Sequence, residues 1–137
     1  MKIANKTKAY KDESHLMYSC QYRVAFCPKY KRRVFVGDIA ERLKEIFIDV
    51  SHKHDFEILE MYIKEDYVHL EIDCNPRFGI YNCITKLKRT SANLLVKEFP
   101  ELESRLPNIW TRGAFISTSG DVSLEPMLDY IQEQKNV

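Results

Sequence analysis

Tyr67-Val68-His69-Leu70-Glu71-Ile72-Asp73 decides the fold. Apolar and polar residues alternate strictly along it, the period of a half-buried strand. Val68, Leu70 and Ile72 are expected to face a core. Tyr67, His69, Glu71 and Asp73 are expected to line the opposite, open face. A merely solvated face more often carries Lys, Thr and Ser. Here it carries a phenol, an imidazole and two carboxylates.

The neighbouring segments supply the rest of a sheet. Residues 56–64 read as a strand, and Glu65-Asp66 is a turn that makes a hairpin with 67–73. Residues 17–27, MYSCQYRVAFC, read as a strand closed by Pro28. Gly37-Asp38 opens a helix to about residue 53, with Asp38 as N-cap and Glu41 completing a capping box. His52 and His54 suit the negative end of that helix. After the turn Asn75-Pro76-Arg77, a helix is expected over 80–98. Ile80, Ile84, Leu87, Leu94 and Leu95 form its apolar face, and Lys86, Arg89, Asn93 and Lys97 a polar stripe. Pro100 and Pro107 bound a connector to a strand over 109–118. Ser123 then caps a last helix, 124–135, with Pro126 tolerated in its first turn. The order β-α-β-β-α-β-α is the α+β, ferredoxin-like split βαβ arrangement plus a C-terminal helix. Both inner helices are expected on one face of an antiparallel sheet.

Composition agrees with one domain spanning residues 1–137, with about 1–16, His15 included, as a flexible lead-in. The chain is 45% hydrophobic and 30% charged at net charge +1, which excludes a disordered chain. No apolar run approaches a membrane span, and the lysine-bearing N-terminus has no apolar signal region, so the expected location is cytoplasmic. Cys20, Cys27, Cys74 and Cys83 show no C-x-x-C spacing and are expected to be free thiols. Charge is uneven. Residues 1–36 hold nine Lys/Arg against two acids. The run Lys29-Tyr30-Lys31-Arg32-Arg33 sets an aromatic among cations, which suits phosphates and stacked bases as well as a solvated loop.

A second chemical element lies near the C-terminus. Tyr130 and Gln134 are one helical turn apart, which places a phenol beside an amide. With these residues in view, the chain resembles the single-tyrosine HUH transposases of the insertion sequence 200/605 type, from about Tyr18 to Lys135. The matching segments include Cys27-Pro28-Lys29-Tyr30-Lys31-Arg32-Arg33-Val34, Asp66-Tyr67-Val68-His69-Leu70, Leu106-Pro107-Asn108-Ile109-Trp110-Thr111 and Tyr130-Ile131-Gln132-Glu133-Gln134. The resemblance implies an RRM-like fold, an obligate homodimer, and cleavage and rejoining of single-stranded DNA beside imperfect hairpins. It implies Tyr130 as the nucleophile of a 5′-phosphotyrosine intermediate, with its helix acting in trans. It implies a Mg²⁺ or Mn²⁺ ion held by His69 and Gln134. The basic run 29–33, with Lys86 and Arg89, would grip the DNA.

Two positions depart from the family pattern. Tyr67 stands where the first histidine of the His-hydrophobic-His motif belongs, and a neutral phenol is a much weaker ligand than imidazole. Glu71 stands where the family has an apolar residue, on the same strand face as His69. Its carboxylate is a candidate third ligand, since oxygen suits Mg²⁺ and Mn²⁺; the alternative is a partner for Lys or Arg. Two functions stay open: a transposase, weakened or not by Tyr67, and a catalytically impaired relative that binds hairpin DNA or RNA. A generic RRM-like RNA-binding domain, stacking bases on Tyr22 and Tyr67, would leave the Tyr/Gln helix without a role. Trp110 is expected in the core or a dimer interface. Phe115 and Ile116 could pair strand edges across a two-fold axis, and Arg112 and Lys88 are candidate phosphate contacts or surface charges.

Overall fold

A computed structural model of the chain describes residues 10–13, 16–102, 108–120 and 123–137. His15, Leu106 and Pro107 lie outside the described residues. The elements are strands β1 Lys11–Glu13, β2 Leu16–Tyr18 and β3 Gln21–Phe26, helix α1 Gly37–Lys53, strands β4 Glu57–Lys64 and β5 Tyr67–Asp73, helix α2 Ile80–Glu98, strand β6 Phe115–Thr118 and helix α3 Glu125–Gln132. Short 3₁₀ turns follow β3 at Lys29–Lys31 and α3 at Glu133–Asn136. The main sheet has the order β4-β5-β3-β6, and every pairing in it is antiparallel. This is the ferredoxin-like α+β arrangement that the element order implied.

Period-two alternation sets the two faces. Val24 and Phe26 of β3 and Val68, Leu70 and Ile72 of β5 are fully buried in one cluster. Leu43, Ile46, Phe47 and Val50 of α1 join them from above, with Cys83, Ile84, Leu87 and Leu95 of α2. Trp110 belongs to this core. Its ring meets Phe26 edge-on at 4.8 Å, and its Nε1 donates to Ser91 Oγ at 2.9 Å. His54 stacks on Phe78 at the end of α1, centroids 5.8 Å apart.

The other face is not open as expected. Ala25 and Cys27 are small, and α3 lies over them, burying Met127 and Ile131, with Tyr67, Phe115 and Tyr130 packed around. Glu71 and Asp73 are buried too, each 3% exposed. A hairpin of β1 and β2 stands where a flexible lead-in was expected over 10–13 and 16. Its Lys11 reaches Glu57 at 2.7 Å and Asp73 at 3.9 Å, and Gln21 donates to Asp73 at 3.4 Å.

Other boundaries move for local reasons. The strand expected over 17–27 is split, with 16–18 turned back on 11–13 and β3 starting at Gln21. The strand expected over 109–118 is regular only at 115–118. Before it, Thr111 N–H donates to Cys27 O, and a single bridge joins Pro28 and Trp110. Helix α1 starts at Gly37, so Asp38 sits inside the first turn and makes no capping bond. Ser123 does receive the Glu125 N–H at 3.1 Å. The four cysteines are free, as expected.

The fit of α3 depends on the small side chain of Ala25. Ala25→Leu is expected to overpack that seat and cost about 1–3 kcal/mol. Urea unfolding followed by circular dichroism measures the loss, and faster protease cleavage at α3 locates it.

Candidate active site

Strand register fixes which side chains stand together on the second face. Tyr62, His69, Ala25 and Phe115 form one cross-strand row. Glu60, Glu71, Arg23 and Ser117 form the next, and Lys64 stands opposite Tyr67. The rings of Tyr62 and His69 stack at 5.3 Å and 26°. A groove of about 360 Å³ includes these rings, with Leu124, Met127 and Leu128 of α3 on its other side.

Tyr130 is half-buried elsewhere on the same helix. Its ring lies 6.0 Å from Phe115, and a methyl group placed on Gly113 would sit 3.1 Å from its hydroxyl. Burial, and secondarily the Cys27 thiol, raise its pKa above the ordinary phenol value. A phenol shifted upward is a poor nucleophile until something favours its phenolate. The groove beside His69 is lined by Leu124, Met127 and Leu128 and not by Tyr130. Tyr67 borders that groove and also belongs to the cluster in which Tyr130 packs.

The other expected ligands are distributed unevenly. Gln134 is 9% exposed in the last 3₁₀ turn, which packs against residues 29–31; Tyr30 N–H donates to Val137 O there at 2.8 Å. Gln134 does not line the His69 groove. Glu71 does, and its Oε1 accepts from Ser119 Oγ at 3.4 Å. Glu71 is also the cross-strand neighbour of Arg23. Among the described residues no three His, Cys, Asp or Glu side chains are gathered to hold a metal. One chain offers His69 and Glu71 on a shared face, an imidazole and a carboxylate suited in kind to Mg²⁺ or Mn²⁺. That pair would need substrate oxygens and water to complete the shell of such an ion.

The basic residues fall in two places. Tyr30 and Lys31 take left-handed backbone angles, φ 58° and 51°, a conformation uncommon outside glycine. This tight turn leaves Tyr30, Arg32 and Arg33 exposed, with the Lys29 ammonium 5.3 Å from the Tyr30 ring centre. Lys31 is paired with Asp66 at 2.8 Å. Lys86 and Arg89 lie instead on the helical side, in a cleft between α1 and α2 that they share with Asp49, Lys53 and His54.

Lys88 corrects the surface reading. Its ammonium donates to Thr111 O at 2.9 Å and Gly113 O at 2.8 Å, and lies 5.4 Å from the Phe26 ring centre. Burial pushes its pKa down from 10.5 to about 8, with Cys27 opposing. It thus ties down the loop against which Tyr130 rests. Helical spacing carried a signal for this, since Ile84, Lys88, Ser91 and Leu95 fall on one stripe. Nothing local marked Gly113 or Ser119.

The fold and these residues define a class: a small ferredoxin-like protein with a tyrosine-bearing helix laid on its sheet. The chain belongs to the Transposase IS200 like family, which it matches over residues 16–134. It is a transposase of that family. It is 29% identical over 120 residues to ISDra2 transposase TnpA of Deinococcus radiodurans, covering 86% of each chain. It is 27% identical over 126 residues to the transposase for insertion sequence element IS200 of Salmonella typhimurium, covering 90% of this chain and 82% of that one. A crystal structure of a Deinococcus radiodurans protein assigned as a transposase superposes with a TM-score of 0.85 at 26% identity, over 93% of this chain and 99% of that one. A REP-associated tyrosine transposase bound to a REP hairpin shares the fold, at TM-score 0.56 and 11% identity over 94% of this chain and 68% of that one. Family membership displaces the generic RNA-binding reading. Among the described residues no helix is long and apolar enough to cross a membrane.

The lowered pKa of Lys88 has a thermodynamic consequence. Between pH 8 and 10.5 the folded amine holds less proton than the unfolded one, so its burial penalty is relieved as pH rises. Relative to Lys88→Met, the parent is expected to gain at most about 3 kcal/mol across that window. Paired urea titrations near neutrality and near the upper limit measure the difference. A constant gap between the two proteins would contradict the desolvated ammonium.

Proposed function

We propose that this chain cuts and rejoins single-stranded DNA beside short imperfect hairpins, with Tyr130 as nucleophile. The reading is carried by one observation: the family match spans residues 16–134 and so takes in His69, Tyr130 and Gln134 together. The Tyr130 oxygen attacks phosphorus, the bond to the 3′ oxygen breaks, and a 5′-phosphotyrosine link remains. Net, the phenol proton ends on the released 3′-hydroxyl. Attack by a 3′-hydroxyl on that link reseals the strand and needs no nucleotide cofactor.

The protein acts as a homodimer in the cytoplasm, with the Tyr130 helix of one subunit completing the partner's site. That arrangement is what the family resemblance implies. His69 and Glu71 would hold a Mg²⁺ or Mn²⁺ ion, with Gln134 as the third ligand that the resemblance implies. The ion, when bound, stabilises charge on the scissile phosphate. Tyr67 contributes packing in place of ligation. Lys29, Tyr30, Arg32 and Arg33 contact DNA at one end of the sheet; Lys31 holds Asp66 and shapes their turn. Lys86 and Arg89 contact it from the helical side.

A second reading is favoured by Tyr67: a catalytically impaired relative that grips hairpin DNA or RNA without cutting. One experiment separates the two. A labelled single-stranded DNA carrying an imperfect hairpin from beside the coding region is incubated with the protein and Mg²⁺ or Mn²⁺. A covalent adduct that vanishes in Tyr130→Phe supports the transposase; tight binding without adduct supports the binder.

The ligand assignment has its own measurement. In Mn²⁺ calorimetry His69→Ala and Glu71→Ala are each expected to weaken binding about tenfold or more. Parental affinity in Glu71→Ala would remove the carboxylate from the ligand set.

A further inference from the structure

The groove over the β4–β5 rows has a chemistry that phosphate contact alone does not use. Tyr62 is on the edge strand β4, directly opposite His69, and its ring stacks on the imidazole while remaining 36% exposed. Across the groove, Leu124 at the N-cap of α3 and Leu128 within it are each 46% exposed. Three large apolar side chains thus border one groove of about 360 Å³ without closing it. Arg23 and Lys64 border the same space together with Glu60 and Glu71, so its charged lining is balanced.

Flat aromatic and aliphatic walls select a planar, largely apolar group. An unpaired nucleobase is such a group, and base–aromatic stacking accommodates every base because each has a π-face. We propose that Tyr62 is the stacking platform of a nucleobase subsite beside His69, which holds one unpaired base next to the scissile phosphate. This rests on the reading of His69 as part of the cleavage site. The Tyr62–His69 stack gives the subsite a second role, because a base on Tyr62 reinforces the plane in which the imidazole is held. Glu60 and Glu71 border the same groove. With Arg23 and Lys64 they balance in charge, which leaves the apolar walls to place the base.

The test compares a labelled thymidine homopolymer with an abasic polymer of equal length. The parent is expected to bind the homopolymer about tenfold tighter. Tyr62→Leu keeps the apolar bulk and is expected to lose most of that preference, whereas Tyr62→Phe keeps it. Affinity for the abasic polymer is expected to stay constant in all three. A Leu variant with the parental preference would overturn the subsite. Emission of the single tryptophan, Trp110, reports whether each variant retains its core. Photocrosslinking the parent protein to a 5-iodouracil oligonucleotide gives a measurement free of any variant. Crosslinks on Tyr62 support the proposal, and crosslinks confined to Tyr30 or other sites sink it. If the parent shows the base preference and the Tyr62 crosslink but never forms a Tyr130 adduct, the subsite stands and the cleavage chemistry falls.

Discussion

The structure depends on the pleat of one strand. Val68, Leu70 and Ile72 are wholly buried between β4 and β3, under α1 and α2. Burying each such side chain is worth about 1.5–3 kcal/mol relative to exposure. A slip of one residue would turn those three outward and carry His69 and Glu71 into the apolar cluster. The same burial that stabilises the domain therefore fixes which side chains reach the second face. Chemistry on that face needs no separate positioning device for His69; the core supplies it.

Size, rather than polarity, decides how the second face is used. Ala25 and Cys27 leave a shallow seat on β3, and Met127 and Ile131 fill it. Polar positions farther along are buried by other means. Asp73 receives Lys11 and Gln21, and Glu71 receives Ser119 beside its cross-strand neighbour Arg23. Such partners reduce the cost of taking a carboxylate out of water, which is prohibitive without them. The face thus divides into an apolar dock for α3, a polar buried end, and a groove between them containing Tyr62 and His69.

Legibility in the sequence followed the range of the interactions. Strict alternation at 67–73 and helical spacing at 80–98 gave those elements with the bounds that β5 and α2 have. Both patterns reflect burial against a large core. The hairpin of β1 and β2 was not legible, because Lys11-Asp12-Glu13 has no apolar alternation and is held partly by long-range ion pairs. The strand over 109–118 was overextended for a related reason. Its first half opens on the apolar pair Ile109-Trp110, but its carbonyls at 111 and 113 are taken by Lys88 from another layer. His69, Tyr130 and Gln134 could be picked out one by one as chemistry-bearing residues. Their distribution around α3 could not, since it depends on the small residues at 25 and 27 and on the space at Gly113.

Tyr67 is best understood through that dock. The family resemblance assigns position 67 to a histidine, and on β5 it shares a face with His69. Here its ring packs with Phe115 and Tyr130 around Met127 and Ile131. A phenol ring offers more apolar surface than an imidazole, and aromatic packing adds to plain burial. The substitution therefore strengthens the seating of α3 while weakening any claim of that position to a cation. Glu71 lies two residues from His69 on the opposite flank of the same strand face. The two departures flank His69 on one strand face, and they are used differently: Tyr67 packs into the dock of α3, and Glu71 is a buried carboxylate that accepts from Ser119.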